Sequence, residues 1–395
     1  MATGTAIVDV RDTAEMPLDA AVVGPRPGEL FWRVLRGASS VADWIFGAVT
    51  LIVGLAVLAT IPVLQLLSLG YLLEVSGRVA RSGRLREGFV GVRHAARLGS
   101  IAVGTSILLL PVWLATSLRF DALLIDPDSR AARGWSVAVA VLSVVVLLQV
   151  ASACLRGGRV WQFFVPRPIQ TLRIAMRPGA YARARDAVWD FVIDLRLPYY
   201  FWLGLRGFVG AAAWLLVPVS MLAVASRLRP GAGVPIGFLG GALLALVLVH
   251  LPFLQARFAA ENRLGAMFEP RALRLQFARA PLAFWLALLA TLASAIPLYL
   301  LKIEIVPREA AWLPSLLFVV SIFPARLATG WALARAAKRA TNRHWVWRWT
   351  SRLAMLPVVA FYTIVVYFTQ YLSWYGVWSL YEQHAFLVPA PFLGM

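Results

Sequence analysis

The sequence predicts an all-α protein, a polytopic transmembrane helical bundle of about eight spans, give or take one. Three observations lead there. The chain contains long apolar runs, each near the roughly 20 residues that a helix needs to cross a ~30 Å hydrocarbon core. Of its 395 residues, 60% are hydrophobic and 14% charged, where a soluble domain carries about 25% charged residues. The segments between the runs are alternately arginine-rich and nearly neutral, the pattern by which a multi-pass chain records its orientation.

Taken in order, residues 1–40 read as a polar N-terminal tail that ends in an interfacial helix. That helix begins near Gly28, where Phe31, Trp32, Val34 and Leu35 follow. The start, Met-Ala-Thr-Gly-Thr-Ala, has no basic segment leading into an apolar core, so no cleaved signal peptide is expected. Residues 41–385 form the transmembrane domain and 386–395 a short C-terminal tail. The apolar runs cover about 44–73, 99–118, 134–155, 199–225, 232–256, 281–301, 310–334 and 353–375. All but the first suit a single crossing. The first would extend ~45 Å as one helix. It contains Pro62, so it is either one tilted, kinked helix or a re-entrant hairpin turning near Ala59–Pro62.

The net charge of +19 would point to nucleic acid in a soluble protein. Among these apolar runs it reads instead as topology signal and lipid contact, and no nucleic-acid partner is expected. Segments 74–98, 156–197, 257–280 and 335–352 hold 25 of the 38 lysines and arginines. The intervening segments are poor in base, and none follows residue 375. Retained arginine marks the cytoplasmic side. The expected partners are membrane lipids, anionic ones at the cytoplasmic face, and a membrane protein partner. Arg78, Arg81, Arg84 and Arg86 are expected to hold their loop against anionic lipid. The side of the N-terminus depends on the first run: one crossing places it outside, a hairpin inside, and Arg33 and Arg36 favour inside.

Pro198-Tyr-Tyr-Phe201-Trp202-Leu203 and Pro281-Leu-Ala-Phe284-Trp285-Leu286 match at Pro, Phe, Trp and Leu. Each opens a span whose return helix contains a proline, Pro252 or Pro324, which suggests an internal parallel repeat.

Familiar catalytic signatures are missing: no HExxH, GxSxG, Walker-type loop or GxGxxG occurs. The four histidines are scattered, and Cys154 stands alone in an apolar run. No cofactor and no metal are expected, and the reading leans away from an enzyme. Charge inside the apolar runs is the better clue, because it is kept only when paired or solvated. Arg206 and Arg326 lie at similar estimated depths on different helices. With Glu74, His250 and Gln255 they form a candidate polar cavity facing the cytoplasm, or a structural ion-pair network. Asp186, Asp190 and Asp194 recur at i, i+4 and i+8 and make a candidate acidic stripe, for a cation or for neighbouring arginines. Tyr371, Trp374, Trp378 and Tyr381 share one helical face with Tyr367. They make an outer interfacial belt or an external aromatic platform for a ligand.

The stretch Ile61-Pro62…Leu69-Gly70-Tyr71…Arg78…Arg81-Ser-Gly83-Arg84-Leu85 resembles bacterial polytopic inner-membrane families classed as domains of unknown function. In those, a Gly-Tyr-containing helix leads into a short basic cytosolic loop. The resemblance implies an all-helical fold and inner-membrane residence and transfers no catalytic residue. Three functional readings remain: a permease-like or lipid-associated protein, a structural or assembly subunit of a bacterial membrane complex, and an intramembrane enzyme.

Overall fold

The computed structural model describes residues 27–301, 312–372 and 376–382, which are predominantly helical and contain no strand. The chain divides into two units, Met1–Asp43 and Trp44–Met395. Helix α1 (Pro27–Thr60) runs through the boundary. A turn leads to α2 (Gln65–Ser82), and a short 3-10 turn to α3 (Val92–Ile125) and α4 (Arg130–Leu155). Three short helices follow: α5 (Val160–Phe164), α6 (Pro168–Ala175) and α7 (Ala180–Asp194). Then come α8 (Leu197–Ala225), α9 (Pro230–Glu261), α10 (Pro270–Arg279), α11 (Pro281–Leu301), α12 (Trp312–Ala337), α13 (Trp345–Leu372) and α14 (Ser379–Glu382).

Among the described residues, seven helical stretches are long and apolar enough to cross a membrane. They are Gly37–Thr60, Val92–Ile125, Arg130–Leu155, Ala180–Ala225, Pro230–Glu261, Leu313–Ala337 and Trp345–Tyr371. The number is eight if Pro270–Arg279 and Pro281–Pro297, bent by 113°, count as one span. The fold is therefore an all-α polytopic bundle of the expected size.

The first apolar run breaks in two. Pro62 contributes no N–H, and Val63 sits at φ 71°, a left-handed conformation that β-branched residues rarely adopt. The chain reverses there. The Trp44 ring packs tilted against Phe89, with centroids 4.9 Å apart. Ser68 Oγ donates to the Leu55 carbonyl at 2.8 Å, and Tyr71 OH to the Val90 carbonyl at 2.9 Å. From Trp44 the chain thus leaves the level of the Phe89–Val90 loop along α1 and returns to it along α2. Of the two alternatives for this run, the geometry is that of the hairpin. Its tip stops short: Leu66 already packs on Gly204, in the second turn of α8, while α8 continues to Ala225.

Helix α2 is the centre of the bundle, packed against α8, α9 and α12. Thirteen of its 18 residues are buried. Small residues make the three approaches close. Gly70 lies on the Tyr200 backbone of α8, Gly204 on the Leu66 carbonyl, Gly77 on Ala259 of α9, and Gly330 of α12 on the Ser76 carbonyl. Both α8 with α9 and α11 with α12 form hairpins. Pro198 and Pro281 open α8 and α11, and Pro252 and Pro324 lie inside α9 and α12. A different pair ends alike. Gly83 (φ 69°) closes α2 and Asn262 (φ 51°) closes α9, each followed by an arginine and a 3-10 turn. Helices α3 and α4 pair with each other; Ser129 caps α4 by accepting the Ala132 N–H at 3.0 Å, and Phe163 of α5 packs on Gly104 of α3.

Candidate functional site

The polar residues inside the bundle gather where the helices meet the arginine-rich loops. They do so in separate groups. The first is built on Glu74 of α2, whose side chain is 4% exposed. Its Oε1 accepts from Arg78 Nε and from Arg81 Nη2, both at 2.9 Å, and its Oε2 accepts from Tyr199 OH at 2.8 Å. Arg81 also donates from Nη1 to the Ala259 carbonyl at 2.9 Å and the Ala260 carbonyl at 3.1 Å. One carboxylate therefore ties α2 to α8 directly and to the end of α9 through Arg81. Such charge-assisted bonds are about twice as strong as neutral ones. Ser82, Glu87 and Arg196 complete the lining of a groove of about 610 Å³ beside it.

The second group is Arg326 of α12 with Gln255 of α9. Arg326 is buried, and its Nη1 donates to Gln255 Oε1 at 2.8 Å. The third is Arg206 of α8, half-buried, whose Nη2 donates to Asn262 Oδ1 at 2.7 Å while its guanidinium lies 5.8 Å from the Phe258 ring. His250 bonds only within its own helix among the described contacts, Nδ1 to the Leu246 carbonyl at 2.8 Å. The single cavity expected for Arg206, Arg326, Glu74, His250 and Gln255 is thus divided: Arg326 meets Gln255, while Arg206, Glu74 and His250 go elsewhere. Equal depth placed the two arginines at similar levels, but α9 separates their partners, with Gln255 in its body and Asn262 at its end.

A fourth group was not anticipated as a unit. Arg257 bonds Glu261 and Glu269, each at 2.6 Å, and Arg263 bonds the same two carboxylates at 3.1 and 2.7 Å. Two arginines and two glutamates close the α9–α10 connection with no net charge. Hydrogen bonds from Arg257, then Arg263, hold the Glu269 carboxyl below the usual carboxylate range. Its contribution to stability is therefore present at neutral pH and fades as the pH falls through that lowered value. The Arg257–Glu261 spacing of i, i+4 was the available sequence signal. For Tyr199 on Glu74 there was none.

The acidic stripe does not converge. Asp186, Asp190 and Asp194 are exposed on α7; Asp186 pairs with adjacent Arg185 at 2.8 Å, and Asp194 lies 3.8 Å from His94. No group of three or more His, Cys, Asp or Glu side chains among the described residues is arranged to hold a metal. The outer aromatic set divides too. Tyr371 is joined to Tyr367, 3.5 Å between hydroxyls, whereas Tyr381 bonds Ser220 of α8 at 2.9 Å and its ring lies 6.0 Å from that of Trp378. Trp374 lies outside the described residues. Two of the four arginines assigned to lipid, Arg78 and Arg81, bond Glu74 while keeping part of their side chains exposed, and Arg84 and Arg86 are exposed with no carboxylate partner among the described residues.

This arrangement defines a class: an all-helical polytopic protein of multi-pass membrane architecture, with its internal polar groups tied in pairs and small networks near the basic helix ends. Comparison of the chain with protein-family models, with curated proteins and with solved structures finds no match.

Proposed function

We propose that the chain is a lipid-associated, multi-pass protein of a bacterial inner membrane, its arginine-rich ends in the cytoplasm and in contact with anionic lipid. The segment 160–194 carries this reading. Helix α7 has no buried residue, and Trp161, Met176, Tyr181 and Trp189 along α5–α7 are each at least 65% exposed. Arg167, Arg173, Arg177, Arg183 and Arg185 alternate with them and are exposed as well. Short amphipathic helices of this composition lie in a bilayer interface, apolar side down, with guanidiniums among the phosphates. The permease-like variant is less favoured, because the internal polar groups are separated rather than joined into one path.

Amide hydrogen exchange over residues 160–194 in nanodiscs tests it. Protection is expected to be greater with phosphatidylglycerol than with phosphatidylcholine alone, and to weaken at 1 M salt, where the Debye length is ~3 Å. Equal exchange in both lipids would remove the reading. The orientation has its own test. With Cys154 replaced, single cysteines at Ser129 and Arg229 are expected to react with an impermeant thiol reagent in intact cells, and cysteines at Ser82 and Ala340 to stay unlabelled. The reverse pattern would invert the topology.

One observation favours an assembly subunit as the second reading. A groove of about 690 Å³ between α9 and α13 is lined by Gly233, Gly237 and Gly241 opposite Tyr367 and Tyr371. Gly233 and Gly237 face Ala225 of α8, so the open side of the groove is that of Gly241, Thr363 and the two tyrosines, where a second transmembrane helix would pack. Co-purification of one membrane protein at fixed stoichiometry, lost on Gly241→Leu with thermal stability retained, would support this reading over the first.

A further inference from the structure

We propose that the protein holds one anionic phospholipid in a notch where α11 begins, its phosphate bound by Arg335, Arg339 and Arg343. This deepens the lipid-associated reading and rests on it.

The notch lies where the chain bends by 113° at Ala280 between α10 and α11. It has a volume of about 190 Å³, below the roughly 300–1,000 Å³ of sites for drug-sized ligands. Ala280–Ala283 of the α11 start, Trp331 and Arg335 on α12, Arg339 and Arg343 beyond α12, and Trp347 at the start of α13 surround it. Its geometry is fixed by backbone bonds. The Arg343 N–H donates to the Ala278 carbonyl at 2.9 Å, and the Ala283 and Phe284 N–H groups donate to the Ala280 carbonyl at 3.1 and 3.2 Å. Arg339 Nη1 donates to the Arg279 carbonyl at 3.3 Å, and the Arg335 guanidinium lies 5.2 Å from the Trp331 ring centroid.

Charge distinguishes this place from the arginine groups at Glu74 and at Glu261 and Glu269. Arg78 and Arg81 share Glu74, and Arg257 and Arg263 share two glutamates. Arg335, Arg339 and Arg343 have no carboxylate partner among the described residues, and no acidic residue lines the notch. Three like charges around so small a space repel one another unless an anion sits between them. The start of α11 adds the positive end of a helix dipole. A phosphate diester suits the planar guanidinium donors, which bind its oxygens in pairs.

The apolar side identifies the anion as a lipid. Leu282 and Leu286, one turn apart on α11, are 45% and 47% exposed and continue outward from the notch. Trp347, 48% exposed, flanks it as interfacial tryptophans do. A headgroup phosphate among the arginines leaves acyl chains running along α11. Basic pockets between helices at the cytoplasmic interface hold anionic headgroups in this way.

The test uses the delipidated full-length protein in mild detergent, with native mass spectrometry after adding dioleoyl phosphatidylglycerol, dioleoyl phosphatidylcholine or inorganic phosphate. One phosphatidylglycerol is expected to be retained at least tenfold more strongly than phosphatidylcholine. R335Q/R339Q/R343Q is expected to abolish that preference, while R93Q/R271Q/R274Q, with the same loss of charge on other exposed arginines, keeps it. If the first triple variant does not fold, Arg343→Gln alone, at an exposed loop position, is expected to weaken retention at least threefold. Equal losses in both triple variants, or no loss with Arg343→Gln, would overturn the site. Displacement of the lipid by millimolar phosphate would make it a free-anion site and overturn the lipid assignment. The hydrogen-exchange test on residues 160–194 does not involve these residues, so the two readings can fail separately.

Discussion

Gly70→Ala is expected to leave little folded protein in detergent, and Gly204→Ala the same. At Gly70 a Cβ would overlap the Tyr200 carbonyl, and at Gly204 it would overlap the Leu66 carbonyl. Both obstacles are helix backbone, which no rotamer change moves aside. Only separation of α2 from α8 makes room, and that exposes the central packing of the bundle. The loss should reach or exceed the roughly 1–3 kcal/mol usual for overpacked cores. Gly54→Ala is the control. Nothing lies within 4 Å of a Cβ there, so the helix should gain about 0.5–1 kcal/mol. Size-exclusion profiles and thermal unfolding of the three variants decide the matter. Wild-type behaviour of Gly70→Ala would show that the two helices are not in backbone contact.

Glu74→Gln is expected to cost on the order of 2–3 kcal/mol. Breaking a fully buried ion pair costs about 3–5 kcal/mol, and the lower figure reflects partners that keep some water. The Arg78 and Arg81 side chains are 34% and 44% exposed, whereas the carboxylate itself is 4% exposed. Tyr199→Phe removes one hydrogen bond from the same carboxylate and should cost about 1 kcal/mol. Because both changes act on one group, the double variant should lose less than the sum. Strict additivity in thermal unfolding would mean that Tyr199 and Glu74 do not interact.

The spans were legible because hydropathy and arginine placement act along the chain, one helix at a time. Pro62 marked the break between α1 and α2, although the direction of the chain after it depended on contacts at Phe89 and Val90. The central position of α2 was hidden. Its sequence mixes Glu74, Arg78 and Arg81 with apolar residues and looks less suited to the interior than α4, yet α2 is buried and α4 largely exposed. What places α2 inside is complementarity with Gly204, Ala259 and Gly330, residues more than 120 positions away. The polar site was partly legible for the same reason. Depth along a helix could be counted from the sequence, so Arg206 and Arg326 fell at one level. The side of the helix on which each one points is set by the neighbours, and these send Arg206 to Asn262 and Arg326 to Gln255. Local pairs such as Glu74–Arg78 and Arg257–Glu261 need no such knowledge, since i, i+4 spacing joins them within one helix.

The central place of α2 sets a schedule for synthesis. The helix is complete once Ser82 has been made, but its last partner is finished only at Ala337, 255 residues later. At about 5–20 residues per second, that is a wait of roughly 13–50 s on the ribosome. Until Ala225 and Glu261 have been made, Glu74 and its two arginines have no complete α8 and α9 to meet, and Gly70 and Gly77 face lipid or whatever protein stands beside the nascent chain. A short helix that must be kept at the membrane surface and admitted late needs a guardian during that interval. Stalled chains ending between α7 and α8 should therefore crosslink from α2 to the insertion machinery, and chains extending past Ala337 should not.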